Sequence, residues 1–330
     1  MTGERKQERK QVLVFRELPE HQLARIQAVH EVTLANPRVP QQADAFRAAL
    51  PSAQGMIGSS YRIDESVLDL APRLQVISSI SVGVDNYALA ALRARGIMLC
   101  HTPGVLTETT ADTIFALIMA TSRRLVELAQ YVRDGHWTRN IDEKLFGWDV
   151  HGKTLGILGF GRIGQALGQR AALGFGMPVL YYNHHPVIAP QLAAHALAVS
   201  FEQLLKRADI IAVTLPLTDA TRGMIGAAEF AAMKPGAILV NGSRGAIVQE
   251  DALLAALDSG RLRAAGLDVY MTEPLPQASP LRTHPRVVAL PHIGSATHET
   301  RYAMAELATT NLLEALAGNL PPAAYDLRKA

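Results

Sequence analysis

Three separated polar residues, Arg244, Glu273 and His292, each follow an apolar run in the second half of the chain. A carboxylate that is hydrogen-bonded to an imidazole favours the protonated ring, which can donate a proton to the oxygen of a ketone. A guanidinium can hold the carboxylate and carbonyl oxygens of an α-keto acid and stays charged throughout. The three residue types therefore indicate hydride-transfer chemistry on a keto acid, and we predict them as its catalytic group.

A glycine-rich turn, GFGRIG at 159–164, precedes these residues. It lies between an apolar strand pattern at 154–158 and a helical pattern at 162–173. In such a turn Gly159 permits the tight bend, Gly161 lets the backbone approach a pyrophosphate, and Gly164 allows close packing of the helix. The N-terminus of that helix supplies N–H donors and positive potential. The turn and its flanking elements predict a dinucleotide site.

The second strand of the predicted nucleotide domain ends in Asn183, His184 and His185. Domains that prefer NAD carry an acidic residue here for the ribose 2′-hydroxyl, and none is present. Asn183 can donate to either cofactor, and His184 or His185 can pair with a 2′-phosphate. This favours NADP(H) over NAD(H), and the alternative is a solvated polar loop without cofactor preference.

Further residues at strand ends are candidate cofactor contacts. Leu215 and Pro216 follow a predicted strand and are expected to border the adenine and ribose, with Pro216 preventing extension of the sheet. Asp268 is a candidate acceptor for the nicotinamide carboxamide, and an ordinary helix or turn cap is the alternative. Gly294 follows the last predicted strand, on the same ligand side.

The apolar runs alternate with amphipathic segments, which is typical of α/β folds. A chain of 330 residues with 48% hydrophobic content favours two domains. We predict a long connecting helix over 106–133 and a closing helix over 297–318 that returns to the first domain. The predicted strands are 12–15, 76–78, 154–158, 179–182, 210–214, 237–241, 264–268 and 287–290.

The predicted fold is a doubly wound parallel-sheet (Rossmann) nucleotide domain inserted in a smaller flavodoxin-like substrate domain. The boundaries are drawn at 1–104 with 296–330 for the substrate domain, and at 105–295 for the dinucleotide-binding domain.

Composition excludes several classes of function. The formal net charge is +2, with Lys and Arg spread along the chain, so no nucleic-acid partner is expected. The polar, basic segment 1–11 and the absence of long apolar runs predict neither export nor a membrane span. The single cysteine, Cys100, excludes an intrachain disulfide and argues against a metal site. We expect a cytoplasmic protein with no metal, in which Cys100 is a small buried residue.

Taken together, the motifs resemble those of the D-isomer-specific 2-hydroxyacid dehydrogenases. Within that family the chain is most similar to the glyoxylate/hydroxypyruvate reductases that also act as 2-ketogluconate reductases. The chain departs from the pattern of those relatives at two places. They tend to carry arginines where this chain has His184 and His185, and many members have alanine where this chain has Ser243. The matching stretches span most of the chain in family order: 79–86, 101–108, 159–164, 241–245, 268–274 and 291–295.

The resemblance implies an NAD(P)H-dependent reductase of a small 2-keto acid, and a homodimer. It also implies Arg244 as a substrate-binding and catalytic residue, Glu273 as the partner of the imidazole, and His292 as the proton donor. The backbone amides of Val82 and Gly83 are implied to bind the substrate carboxylate. A glycine after a strand agrees, since it lets an anion approach backbone N–H groups. Residues implied to line the cofactor are Thr107, Arg162 and Ile163.

Other functions of related proteins are the alternatives. A phosphoglycerate-type dehydrogenase is the second enzyme, although many carry a regulatory domain that a chain ending at Ala330 leaves no room for. A formate dehydrogenase is disfavoured, because its relatives use glutamine in place of Glu273. A nucleotide-sensing corepressor-like binding protein is the alternative outside catalysis, and the intact trio argues against it.

Overall fold

The computed structural model describes residues 8–321 and 323–329, so residues 1–7 of the predicted polar N-terminal segment lie outside the described residues. The chain divides into two compact units: residues 1–106 with 297–330, and residues 107–296. The sequence placed these boundaries after 104 and after 295, which is two residues and one residue earlier.

The smaller unit is built around a five-stranded parallel sheet of order β2-β1-β3-β4-β5, the flavodoxin order. Buried apolar side chains of neighbouring strands, among them Leu13, Met56 and Ile77, form its core. Because both faces of a parallel sheet are covered, its central strands read as apolar runs. Its first elements are β1 (Gln11–Val14), α1 (Glu20–Val29), β2 (Glu31–Leu34), α2 (Ala43–Ala49), β3 (Gly55–Gly58), α3 (Glu65–Asp69), β4 (Val76–Ser79), α4 (Leu89–Ala94) and β5 (Met98–Cys100).

The larger unit contains a seven-stranded parallel sheet of order β12-β11-β10-β9-β6-β7-β8. Counted from its own first strand, this is the doubly wound order of dinucleotide-binding domains with one strand added at an edge. Its elements are α5 (Thr107–Ser122), α6 (Leu125–Arg133), β6 (Leu155–Leu158), α7 (Arg162–Gln169), β7 (Val179–Tyr182), β8 (Ala196–Ala198), α8 (Phe201–Arg207), β9 (Ile210–Val213), α9 (Ala227–Ala232), β10 (Ala237–Asn241), α10 (Glu250–Asp258), β11 (Leu262–Leu267) and β12 (Val287–Ala289).

After β12 the chain returns to the smaller unit as α11 (His298–Leu316). This helix packs on β3 and β4, where the Ser78 hydroxyl donates to the carbonyl of Ala308 at 2.7 Å. Gly55 on β3 allows the close approach, since a Cβ there would lie 3.0 Å from the Leu316 side chain. The nucleotide domain is therefore inserted in the smaller one, as predicted.

Six of the seven strands of the larger sheet, and two of the five strands of the smaller sheet, were predicted from the sequence. The strand of the larger sheet that was not predicted is β8, a three-residue edge strand that pairs with β7 and is largely exposed. A strand with little burial carries no apolar run, so periodicity cannot reveal it.

The single helix predicted over 106–133 is wrong. Two helices, α5 and α6, fill the region, and Arg124 between them adopts a left-handed conformation with φ 55°. Its guanidinium binds the Glu127 carboxylate and the carbonyl oxygen of Lys144. The spacing of apolar residues in the sequence does not predict such contacts.

None of the helices in the part of the chain that the structure describes combines the length and the hydropathy of a membrane span.

Cys100 at the end of β5 is fully buried, as predicted. Burial raises the pKa of its thiol to about 12. The thiolate is the reactive form of cysteine, so this residue is a packing group of the smaller core and not a nucleophile.

Candidate active site

The three candidate catalytic residues lie beyond the carboxyl ends of neighbouring strands in the larger unit. Arg244 follows β10, Glu273 follows β11 and His292 follows β12, and these strands are adjacent in the sheet. In a parallel sheet, the loops that leave neighbouring strands emerge at the same edge. Residues separated by as many as 48 positions in sequence, between Arg244 and His292, are therefore brought to one edge.

The imidazole of His292 and the carboxylate of Glu273 form a direct pair, with Nδ1 at 2.7 Å from Oε2. The other carboxylate oxygen accepts from the backbone N–H of Tyr270 at 3.1 Å. Burial acts to raise the pKa of Glu273, but the bond and charge of His292, with the charge of Arg244, hold that pKa below its ordinary value. An ionised carboxylate accepts Nδ1–H, which leaves Nε2 as the nitrogen that can exchange a proton with a substrate.

The backbone of His292 is left-handed, with φ 55°, a conformation that non-glycine residues rarely adopt. Asp268 fixes the residues that follow, because its two oxygens accept the N–H groups of Ile293 at 2.7 Å and Gly294 at 2.8 Å. Asp268 is 2% exposed, and burial raises the pKa of its carboxyl although the two N–H groups act in the opposite direction. Asp268 thus caps the turn, which was the alternative role; a contact with the nicotinamide carboxamide stays a prediction.

The loop that carries Arg244 is held by Asn241, a buried residue that the sequence analysis did not assign a role. Its Nδ2 donates to the carbonyl of Arg244 at 3.0 Å, and its Oδ1 accepts from the N–H of Ser243 at 3.1 Å. The Ser243 hydroxyl donates to the carbonyl of Leu215, which joins this loop to the one after β9. The signal was the asparagine at the end of a strand in the quoted motif, since asparagine side chains commonly bond nearby backbone.

The glycine turn has the shape that a dinucleotide requires. Gly159 has φ 96°, and a Cβ at Gly164 would lie 2.2 Å from the carbonyl oxygen of Gly159. At Gly161, by contrast, an added Cβ would meet nothing within 4 Å. This open space lies at the N-terminus of α7, where Arg162 and Ile163 form the first turn. The residues present therefore fit a pyrophosphate at this point.

The Asn183 side chain bonds two nearby backbone groups, and its predicted contact with the cofactor stays a prediction. Its Oδ1 accepts from the N–H of Phe160 at 3.1 Å, and its Nδ2 donates to the carbonyl of His185 at 2.9 Å. The amide joins the glycine turn to the loop after β7, so we assign it a positioning role. His184 and His185 are both exposed and stack in parallel, with ring centroids 4.6 Å apart.

The remaining predicted cofactor residues differ in exposure. The Leu215 side chain is buried in the core of the larger unit, so its side chain is unsuited to border the ribose, while Pro216 is exposed. Gly294 lies close to α5: a Cβ added at this glycine would be 3.4 Å from the Thr110 side chain. The first turns of α5 therefore lie beside the turn that follows His292. Thr107, one turn before Thr110, begins this helix.

In the smaller unit, Val82 and Gly83 lie in the half-buried loop after β4. Nδ1 of His101 is 3.0 Å from the carbonyl oxygen of Val82. Because the C=O and N–H of a trans peptide point in opposite directions, this bond turns the N–H of Gly83 away from His101. His101 is thus a positioning residue for this loop, a role that its motif at 101–108 did not reveal.

Comparisons with known proteins agree with this architecture. Residues 115–294 match the model of the NAD binding domain of the D-isomer specific 2-hydroxyacid dehydrogenases. Glyoxylate/hydroxypyruvate reductase B of Citrobacter koseri is 49% identical over 311 residues, which cover 94% of this chain and 95% of that protein.

Solved structures extend the similarity to three dimensions. A protein of Thermus thermophilus matches with a TM-score of 0.86 and 45% identity, covering 96% of this chain and all of that one. An NADPH-dependent glyoxylate/hydroxypyruvate reductase of Sinorhizobium meliloti, in complex with NADP and malonate, matches with a TM-score of 0.86 and 30% identity over 97% and 98% of the two chains. The cofactor of the present chain is NAD(P)(H). With a family model matching more than half of its residues, the chain belongs to the D-isomer-specific 2-hydroxyacid dehydrogenase family.

Proposed function

We propose that this protein uses NAD(P)H to reduce short 2-keto acids, namely glyoxylate, hydroxypyruvate and 2-ketogluconate, to D-2-hydroxy acids. The observation that carries the proposal is the 2.7 Å pair of His292 and Glu273, with the charge of Arg244 acting on the same carboxylate. The printed names of relatives nearly half identical to this chain support the first two substrates. The third is proposed from the motif resemblance alone.

Each residue of the trio has a distinct task in this proposal. The bound cofactor supplies the hydride. His292 donates the proton from Nε2 to the carbonyl oxygen, and Glu273 stabilises the protonated imidazole. Arg244 holds the carboxylate and carbonyl oxygens of the keto acid and polarises the carbonyl. The amides of Val82 and Gly83 are proposed to bind the substrate carboxylate. Asp268, Asn241 and His101 position these groups and do not touch the reacting atoms.

We further propose a modest preference for NADPH. The support is the exposed, stacked pair His184 and His185 at the end of β7, where a carboxylate would disfavour the 2′-phosphate. A cytoplasmic location stays a prediction from the sequence.

We also propose that the protein is a homodimer, formed through α6 and the segment that follows it to residue 148. None of the α6 side chains is buried. This short stretch holds seven of the eighteen exposed large apolar side chains found in the described residues, a density that indicates an interface. The second copy of this chain is the occupant that the family resemblance implies. The seven residues are Leu125, Val126, Val132, Trp137, Ile141, Phe146 and Trp148.

His292→Ala should lower kcat for hydroxypyruvate by roughly 100-fold to 10,000-fold, because a positioned acid contributes about that much. The Kd for NADPH, measured by fluorescence titration, should stay close to that of the parent. His195→Ala, which removes an exposed histidine of the same unit, is the matched control and should be nearly as active as the parent. Near-parental kcat in His292→Ala across the pH range would show that the proton donor is assigned wrongly.

Glu273→Gln should lower kcat for the reduction of hydroxypyruvate by roughly tenfold or more, because a neutral amide no longer stabilises the positive charge of the imidazole that donates the proton. Glu250→Gln is the control, because the Glu250 carboxylate accepts from the N–H of Met271 at 2.7 Å and not from an imidazole. Equal falls of kcat in both variants would contradict the assigned pair.

His184→Asp should lower the ratio of kcat/KM for NADPH to that for NADH by roughly tenfold or more, because a carboxylate at this strand end repels a 2′-phosphate. His195→Asp carries the same charge change elsewhere on the unit and should leave the ratio unchanged. A strong preference of the parent protein for NADH would refute the proposed cofactor preference.

Val126→Asp should convert the dimer into a species of one chain's mass, 35.6 kDa, in light scattering, since burying an unpaired carboxylate in an interface is costly. Leu320→Asp places the same charge at a residue that is 80% exposed in the smaller unit and should leave the mass of the dimer unchanged. A parent protein that is itself monomeric at micromolar concentration would remove this proposal.

A further inference from the structure

His101, the residue that follows β5, is held through three of its groups. Its backbone N–H donates to the carbonyl of Ala323 at 3.1 Å, and its backbone carbonyl accepts from Nδ2 of Asn311 at 3.1 Å. Its ring meets that of Tyr325 edge to face, with the ring centroids 5.3 Å apart. Two distant parts of the chain, α11 and the segment 323–327, therefore converge on one histidine.

The segment 323–327 runs along the outer side of β5, which is an edge strand of the smaller sheet. Ala324 pairs with Cys100 in an antiparallel bridge, and the N–H of Tyr325 donates to the carbonyl of Leu99 at 2.7 Å. The side chain of Tyr325 packs against the core of this unit. These contacts give the Tyr325 ring a fixed position relative to β5.

The ring of His101 connects this arrangement to the loop after β4. A carbonyl oxygen can only accept, so Nδ1 of His101 is the donor to the carbonyl of Val82 at 3.0 Å. That bond fixes the peptide between Val82 and Gly83, and with it the direction of the Gly83 N–H. Hydrogen bonds weaken steeply as they bend, so an N–H that binds an anion must point at it. A rotation of the imidazole would redirect one of the two donors proposed for the substrate carboxylate.

Stability accounts for only part of these contacts. Covering an edge strand needs backbone hydrogen bonds, which a segment of almost any sequence can supply. Asn311 is fully buried on α11, and its Oδ1 has no hydrogen-bond partner among the described residues. A buried amide with one end unpaired gains little net stability from the bond at its other end. The bond that Asn311 does make fixes the backbone of His101.

We propose that Asn311 and Tyr325 are positioning residues for substrate binding, which act through His101 on the amides of Val82 and Gly83. In this arrangement neither residue contacts the substrate. The inference rests on the proposed function, in which those amides bind the carboxylate of the keto acid. It gives the two parts of the chain that close the smaller unit a role in substrate affinity.

Tyr325→Leu should raise the KM for hydroxypyruvate roughly fivefold or more, because the ring of His101 loses its neighbour and the Gly83 N–H its fixed direction. Both kcat and the KM for NADPH should stay within about threefold of the parent, since only binding of the substrate carboxylate is weakened. Asn311→Leu keeps the shape of the side chain but removes the bond to His101, and it should act in the same way. Tyr325→Phe keeps the ring, so its KM should stay within about twofold of the parent.

Two matched controls separate positioning from stability. Phe46→Leu makes the same replacement of a ring by leucine in the core of this unit, where Phe46 packs on other aromatic rings. Thr309→Val changes another fully buried side chain of α11, whose hydroxyl has no partner within the described part of the chain. Both should keep the KM for hydroxypyruvate within about twofold of the parent, even where Tm falls.

Tyr325→Leu keeps the test decisive if Asn311→Leu does not fold, because Tyr325 is only half-buried. An unchanged KM in a folded Tyr325→Leu or Asn311→Leu protein overturns the proposal. So does an equal rise of KM in Phe46→Leu, which would show that any weakening of this core acts on the substrate.

A spectroscopic measurement separates this inference from the proposed function. Val82 and Gly83 form the only Val–Gly dipeptide of the sequence. Isotope labelling of valine at its carbonyl carbon and of glycine at its nitrogen therefore gives one NMR cross-peak that joins a carbonyl to the following amide, that of Gly83. In the ligand-free protein this cross-peak should move in Tyr325→Leu and in Asn311→Leu, and should stay in place in the two control variants.

Each result for the cross-peak has a distinct meaning. A cross-peak that moves in a protein that reduces no keto acid supports the positioning of Gly83 and refutes the proposed function. A cross-peak that moves in Tyr325→Leu and Asn311→Leu while their KM does not change overturns the link to substrate binding. A cross-peak that stays in place in both variants overturns the positioning itself.

Discussion

The hydrogen bond between the imidazole of His292 and the carboxylate of Glu273 is the interaction on which the proposed chemistry depends. An imidazole alone is a common structural side chain, and its proton is shared with solvent. The carboxylate gives the ring one orientation and stabilises its charge, while the N–H of Tyr270 fixes the carboxylate in turn. His292 has a left-handed backbone, and Asp268 holds the two amides that follow it.

The same loops are joined to the glycine turn of the domain through hydrogen bonds from polar side chains to backbone groups. Ser243, next to Arg244, bonds the carbonyl of Leu215, and a Cβ at Gly159 would lie 2.8 Å from the N–H nitrogen of Leu215. Asn183 joins the glycine turn to the paired histidines. These polar side chains use their hydrogen bonds to fix loop positions, which is how a site made of loops acquires a defined geometry.

In the smaller unit, the carboxyl edge of the sheet carries the loop that is proposed to bind the substrate carboxylate. His101 orients the peptide between Val82 and Gly83, and Arg16 bonds the turn after the neighbouring strand β3. Arrangement of such groups along one sheet edge lets neighbouring loops contact different parts of a small molecule, since adjacent strands are only about 4.8 Å apart.

Much of the fold was predictable because burial imposes regular patterns. Strands β1 and β4, six strands of the larger sheet, the glycine turn between β6 and α7 and the returning helix were evident, since each follows from a local requirement for apolar residues, for small residues or for helix formers. Strands β2, β3 and β5 of the smaller sheet were not predicted; β3, for example, is a run of only four residues with a glycine at each end. Errors arose where the pattern was weak or was overridden. The edge strand β8 is too exposed to show a pattern, and the break at Arg124 depends on contacts with Glu127 and with the distant Lys144.

The candidate active site, like the fold, was predictable from the sequence only in part. Arg244, Glu273 and His292 were identifiable from sequence because strand ends of a parallel sheet meet at one edge, and because their residue types suit one reaction. Side-chain partners were decided only by the tertiary structure: Asp268 bonds two amides, Asn183 bonds the glycine turn, and Arg16 meets Arg38 at a turn of another strand. Periodicity encodes which face of an element is buried, whereas a hydrogen bond depends on distances of tenths of an ångström between segments far apart in the chain.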